Sequence, residues 1–304
     1  MLNKKFMKIT VISVLTLSLG RTVIPVVAVT LPGASSTTNT AKIIFEEDRT
    51  IVGPVDPDNP YQLIIPEYPA QPTGGLLSID FVSNLEFGQA SVDRVARTYY
   101  ARPMAATIPG DNGEEGKASV FPNFAQVSDR RQNENGWTLS VKQDMQFRWV
   151  GAPVDITDED EGRPGDFLAG ARITFSHGHT TTGHSKPDTE IPSYAGGTEI
   201  TMEPGVLSPP VLFAAPGQGN GTWHYAVGNP LPPEITEDEL DQIEAEGGDF
   251  SELIEGGYYD NYRMGPGQTP RFGPIALDVP RATAQRSAVY QTLFTWTLSD
   301  VPAN

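Results

Sequence analysis

Apolar and polar positions alternate with period two in several separated stretches of this chain, the pattern of β-strands with one buried face. In LLSIDFV (76–82), Leu77, Ile79 and Phe81 are predicted to face one way and Ser78 and Asp80 the other. In GWTLSVKQDMQFRWV (136–150), Trp137, Leu139, Val141, Met145, Phe147 and Trp149 share one parity and read as one long strand. LAGARITFS (168–176) puts Ala171, Ile173 and Phe175 on one face, and near the C-terminus Tyr290, Phe294, Trp296 and Leu298 fall on one side. Turn-rich segments such as PGDNGEEG (109–116) separate these runs, and the chain holds 30 Gly and 27 Pro. The pattern predicts an all-β fold: a single β-sandwich or barrel-like domain of short strands. No fixed-period repeat is visible, so a solenoid or propeller is not expected.

One segment breaks the rhythm. In PPEITEDELDQIEAEGGDFSELIEGG (232–257), Leu240 and Ile243 have helical i, i+3 spacing, and Thr236 followed by Glu239 makes a capping box. This predicts a small, exposed, acidic helical insert over 233–256.

The front of the chain reads as an address. Lys4, Lys5 and Lys8 precede the apolar run ITVISVLTLSLG, which is too short to span a membrane, and cleavage after Ala28 fits a signal peptide over 1–28. Ser/Thr-rich and then Pro-rich sequence over 29–73 predicts a disordered or extended linker. The domain itself is expected over 74–304. With no Cys, a lipoprotein anchor and disulfides are excluded, and LPGAS (31–35) resembles a sortase signal only superficially. The expectation is a secreted protein with no membrane insertion and no covalent anchor.

Charge narrows the class further. The chain carries 21 Lys+Arg against 38 Asp+Glu, a net charge of −17. Loss of residues 1–28 removes four cations (Lys4, Lys5, Lys8, Arg21) and no acid, which takes the net charge to −21. Such a balance excludes nucleic acid as a partner and argues against adhesion to polyanions by bulk charge.

Candidate chemistry is sparse. His177, His179 and His184, with His224 more distant, form the one metal-like group. An H-x-H pair on a strand places both rings on one face, as zinc requires, but a solvated or pH-sensitive loop is the simpler reading. The acids of TDEDEG (157–162) lack EF-hand spacing; an oxygen-ligand site for a divalent cation of another kind stays open beside the plainer reading, a solvated acidic surface. No nucleophile elbow, H-E-x-x-H or glycine-rich phosphate loop is present. No catalytic residues, metal ligands or cofactors are therefore assigned, and the protein is not expected to be an enzyme.

Two Trp-x-Leu triplets remain: Trp137-Thr138-Leu139, and Trp296-Thr297-Leu298 followed by Ser299-Asp300-Val301-Pro302. With LLSIDFVSNLEFG, GWTLSVKQ, LAGARITFS and VPRATAQRSAVYQTLFTWTLSDVP in that order, residues 74–304 resemble the WxL-domain proteins, non-covalent cell-surface proteins of Gram-positive bacteria. The resemblance implies a β-rich domain that associates with the cell wall, with peptidoglycan as receptor. It also implies other cell-surface proteins as partners, including a membrane-anchored companion. A surface-complex component retained on the wall indirectly, through such a partner, is the alternative. The resemblance places Trp137 and Leu139 on the first motif and Trp296 and Leu298 on the second, the four candidate binding residues. It accounts for neither the acidic insert nor the histidine loop.

The residues themselves temper that assignment. Trp faces stack on sugar rings, yet a parity so consistently apolar points inward. The reading that reconciles both has the two triplet strands paired in one sheet with an aromatic exposed at its rim.

Overall fold

The computed structural model describes residues 40–44, 50 and 52–300, except for 93–94, 112–113, 133–134, 154, 156–161, 184–185, 196–198 and 282. The expected signal peptide, His184 and the acids Asp158 to Glu161 lie outside the described residues. Two compact units divide the chain, Met1–Glu46 and Glu47–Asn304, and the architecture below is that of the second.

The strands run as follows. The first seven are β1 (Ile65–Pro66), β2 (Leu77–Val82), β3 (Arg97–Tyr100), β4 (Met104–Ile108), β5 (Lys117–Phe121), β6 (Asn123–Asp129) and β7 (Trp137–Gln143). Next come β8 (Arg148–Trp149), β9 (Arg172–Phe175), β10 (Gly178–Thr182), β11 (Ser193–Tyr194), β12 (Ile200–Met202), β13 (Leu212–Ala214) and β14 (Gly221–Val227). Helices α1 (Glu237–Ala245) and α2 (Ser251–Glu255) interrupt, before β15 (Ile275–Val279), β16 (Tyr290–Gln291) and β17 (Phe294–Ser299).

The fold is all-β, but the expected sandwich gives way to a four-bladed, propeller-like arrangement. Three antiparallel four-stranded sheets are ordered β10-β14-β6-β2, β11-β13-β7-β17 and β12-β9-β15-β3; a three-stranded sheet, β1-β4-β5, and the pair β16-β8 complete the set. The absence of a sequence repeat was a poor guide because the four-stranded sheets are assembled from segments far apart in the chain. β7, for instance, lies between β13 and the C-terminal β17.

The three four-stranded sheets share one core, to which Val127, Tyr225, Ile173, Phe175, Trp137 and Leu139 all contribute. Full burial of each such side chain stabilises by roughly 1.5–3 kcal/mol. The sheet containing β6 is covered on its other face as well. There Phe81, Phe124 and Ala226 pack with Ile64, Met104, Ala106 and Phe121 in a second cluster.

That double cover corrects three expectations. First, β2 is not half-buried: Ser78 and Asp80 are as buried as Ile79. Second, its parity breaks. A register shift between Ile79 and Phe81 sends Ile79 to the main core and Phe81 to the second cluster. Asp80 sits at the bulge, where it accepts bonds from Ser128 Oγ (2.5 Å) and Ser78 Oγ (2.7 Å). Third, part of the region read as a linker is folded: β1 pairs with β4, Ile64 is 3 % exposed, and Val55 N donates to Gln126 Oε1.

Two further differences follow from local geometry. The long strand expected over 136–150 stops at Gln143, and Trp149 belongs to the separate β16-β8 pair, beneath the Arg286 guanidinium. The acidic insert is two helices rather than one, and it is not simply exposed. The capping box is present, with Glu239 N donating to Thr236 Oγ1 and Thr236 N to Glu239 Oε2. Leu240 is nonetheless fully buried with Leu231, Phe250 and Phe272. Arg271 ties the insert down, since its Nε lies 2.7 Å from the buried Asp260 and its Nη1 2.8 Å from Asp241 of α1. Among the described residues, no helix is long and apolar enough to cross a membrane.

Candidate functional site

The two triplets are neighbours. β17 pairs antiparallel with β7 so that Leu298 opposes Leu139, Trp296 opposes Val141 and Phe294 opposes Gln143. Pairing along a non-polar parity puts all these side chains on the core-facing side of the sheet, while Thr295 and Thr297 point outward.

Position in the sheet then separates the four candidates. β7 is flanked on both sides, and Trp137 and Leu139 are fully buried. The indole of Trp137 donates from Nε1 to the carbonyl of Gly219 at 3.1 Å. Gly219 has φ 76°, and a Cβ there would stand 2.6 Å from that same nitrogen. Trp137 is thus a locked core residue with no face open to a ligand. β17 is an edge strand, and Trp296 and Leu298 are only partly buried.

Trp296 and Phe294 form part of the wall of a cavity of about 30 Å³, where residues from all three four-stranded sheets meet. The remaining wall includes Phe175 and Ile275 from one sheet and Asn123, Tyr225 and Val227 from another, with Ser83 and Leu85 from the segment after β2. Phe175 and Phe294 approach to 6.5 Å between ring centroids. Burial holds the Tyr225 phenol well above its ordinary pKa, so it stays neutral. Asn123 is 2 % exposed, and its Oδ1 has no hydrogen-bond partner. Sequence reasoning missed this residue. The one available signal was a polar side chain on the parity of Ala125 and Val127.

A second, larger groove of about 450 Å³ lies beyond the end of β7 and is lined by Asp144, Gln146, Arg172 and Glu203 among others. The Thr295 hydroxyl, 2.7 Å from Asp144, and Lys142 beside it hold the Asp144 carboxyl below the usual carboxylate range.

The described histidines, His177, His179 and His224, form no metal-ligating group. His177 bonds Ser176 Oγ and the Glu255 carbonyl, fastening the start of β10 to the insert. His224 is buried between Gln126 and Thr181, and burial pulls its pKa down to about 4. Among the described residues, no three His, Cys, Asp or Glu side chains surround one point. What the cleft beside Trp296 offers chemically is binding: apolar walls, an aromatic ring and a free acceptor.

A protein-family model described as "WxL domain surface cell wall-binding" matches residues 33–302, nearly the whole chain. No curated protein and no solved structure matches it. The match begins upstream of the domain start expected at residue 74, in keeping with the packing of residues 52–66 onto the sheets.

Proposed function

Because the chain belongs to the WxL domain family of surface cell wall-binding proteins, we propose that it attaches non-covalently to the surface of a Gram-positive cell by binding peptidoglycan through the edge of its paired Trp-x-Leu sheet. The family is a binding family rather than an enzyme family. The observation that supports this site is the partly exposed Trp296 on an edge strand, bordering a cleft. Trp137 of the other triplet is sealed in the core, its indole bonded to the Gly219 carbonyl. A net charge of −17 sets the protein against anionic wall polymers, which favours the uncharged glycan as the part recognised. Export through residues 1–28 would bring it to that surface.

Co-sedimentation with sacculi stripped of teichoic acid tests the reading. The protein is expected to pellet across a salt series, and Trp296→Ala to weaken pelleting by about 10-fold, the loss of one sugar-stacking contact. A failure to pellet at any salt concentration would overturn it.

A second reading, retention through other cell-surface proteins including a membrane-anchored companion, is favoured by the insert. Helices α1 and α2 display Glu237, Asp238 and Glu252 to solvent from a base fixed by Leu240 and Arg271. Deleting 233–256 would uncover Phe272, so charge reversal at those three positions is the cleaner probe. It should abolish capture of an added surface partner while sacculus pelleting is unchanged.

A further inference from the structure

We propose that the cleft beside Trp296 receives the acetamido group of an N-acetylated amino sugar. The proposal rests on the peptidoglycan-binding reading above and assigns the chemical group that its site selects.

Asn123 is fixed in the cleft wall through its side-chain amide. Its Nδ2 donates to the Arg102 carbonyl (2.8 Å) and to the Tyr259 hydroxyl oxygen (3.1 Å). Tyr259 spends its own proton on the Val227 carbonyl at 2.8 Å, so its oxygen can only accept. The amide therefore cannot be flipped, and its oxygen is fixed as the group without a partner. On β6, Asn123 shares the core-facing parity of Ala125 and Val127 and stands opposite Val227, another wall residue of the cavity. A buried acceptor left unpaired is destabilising, so a donor placed against it would be gained at full strength.

The cavity's size and walls define the complement. About 30 Å³ is room for roughly two water-sized groups. Asn123, Ser83 and Tyr225 bring polar atoms to walls that are otherwise apolar, Phe175, Ile275 and Val227 among them. The fitting group is small, carries a methyl for those walls and has one N–H for Asn123 Oδ1. The acetamido substituent of an amino sugar presents such an edge: its methyl and N–H lie on one side and would enter, while its carbonyl oxygen faces the open mouth. Its pyranose ring would lie outside the cavity, against the partly exposed Trp296. The group carries no negative charge for a protein of net charge −17 to repel. An alanyl residue of a peptide also joins a methyl to an amide N–H, but it brings no flat sugar face to the indole.

The test uses the full chain in co-sedimentation with four preparations: intact sacculi, sacculi stripped of peptide by an amidase, de-N-acetylated sacculi, and de-N-acetylated sacculi re-acylated with acetyl or propionyl groups. De-N-acetylation is expected to weaken pelleting by about 10- to 100-fold, the loss of one hydrogen bond to a buried acceptor. The amines it creates would attract this acidic protein, so the effect runs against bulk charge. Re-acetylation should restore pelleting and propionylation should not, because the extra methylene overfills the cavity. Tri-N-acetylchitotriose should compete, and the glucosamine trimer should not. Leu85→Trp, which fills the cleft from a partly exposed position, should reproduce the loss; Asn123→Leu should too, provided its circular dichroism is native. Equal pelleting on acetylated and de-N-acetylated sacculi overturns the assignment and leaves wall binding standing. Loss on peptide stripping alone that persists at salt high enough to screen the lactyl carboxylates the amidase exposes gives the cleft to alanyl groups and also overturns it. Failure on every preparation removes the peptidoglycan reading itself.

Discussion

Trp137 and Trp296 are the same residue in the same triplet, yet their environments differ because one strand is central and the other is at an edge. Trp137 is enclosed, and the enclosure has a single critical point. Gly219 lies against the indole with φ 76°, where a methyl group would meet both Trp137 Nε1 and the Ala214 side chain, the latter at 2.5 Å. Gly219→Ala combines a left-handed backbone penalty with overpacking of a closed core, and should destabilise by about 3 kcal/mol. Urea denaturation checks the magnitude, and a red shift with greater acrylamide quenching of the native-state emission checks the cause. An unchanged midpoint would mean that the Trp137 pocket is not closed as described.

At the scale of elements, β17 decides whether the sheet is complete. Phe294, Trp296 and Leu298 are each partly buried, and they cover Val141 and Leu139, which are fully buried on β7. Truncation after Leu293 removes three partly buried side chains and uncovers two more. The loss is roughly 5 kcal/mol, comparable with the whole stability of a domain. Cooperative thermal unfolding should vanish, and sacculus binding with it. A truncated chain that melts like the full one would show that β17 is a tail. The pairing of β7 with β17 was legible in the sequence because both triplets repeat one apolar parity, and a frayed terminus has no reason to be so apolar. The capping box of α1 was legible for a different reason: Thr236 and Glu239 satisfy each other within one turn. The bulge at Asp80, the stop after Gln143 and the second buried face of β2 were not legible. Each is imposed by what lies across the sheet, and residues 53–64 cover that face from a stretch whose Pro-rich composition reads as a linker. Asn123 was hidden for the same reason, since its significance comes from Trp296, Phe175 and Ile275 arriving from other sheets.

At the scale of the whole molecule, covering both faces of the central sheet leaves ionisable groups with no water, and this sets how the fold responds to acid. His224 on β14 is fully buried against Phe124, with Gln126 and Thr181 at its two ring nitrogens. Burial lowers its pKa from 6.5 to about 4. Between those values the unfolded chain binds a proton that the folded one refuses, so stability increases with pH through this window. The contribution is fully present above pH 6.5 and is lost as pH falls towards 4, amounting to roughly 3 kcal/mol. Acidification also reduces the net charge of −17 and relieves self-repulsion, which opposes the trend and would mask it in a single profile. The difference between two proteins isolates it. His224→Gln keeps a polar group beside Gln126 but has no proton to gain. Its unfolding free energy, measured in urea from pH 7 to pH 4, should fall by about 3 kcal/mol less than that of the natural chain, with the gap opening below pH 6.5. Profiles that run parallel through that interval would mean that His224 is hydrated, and that the sheet is not sealed on both sides.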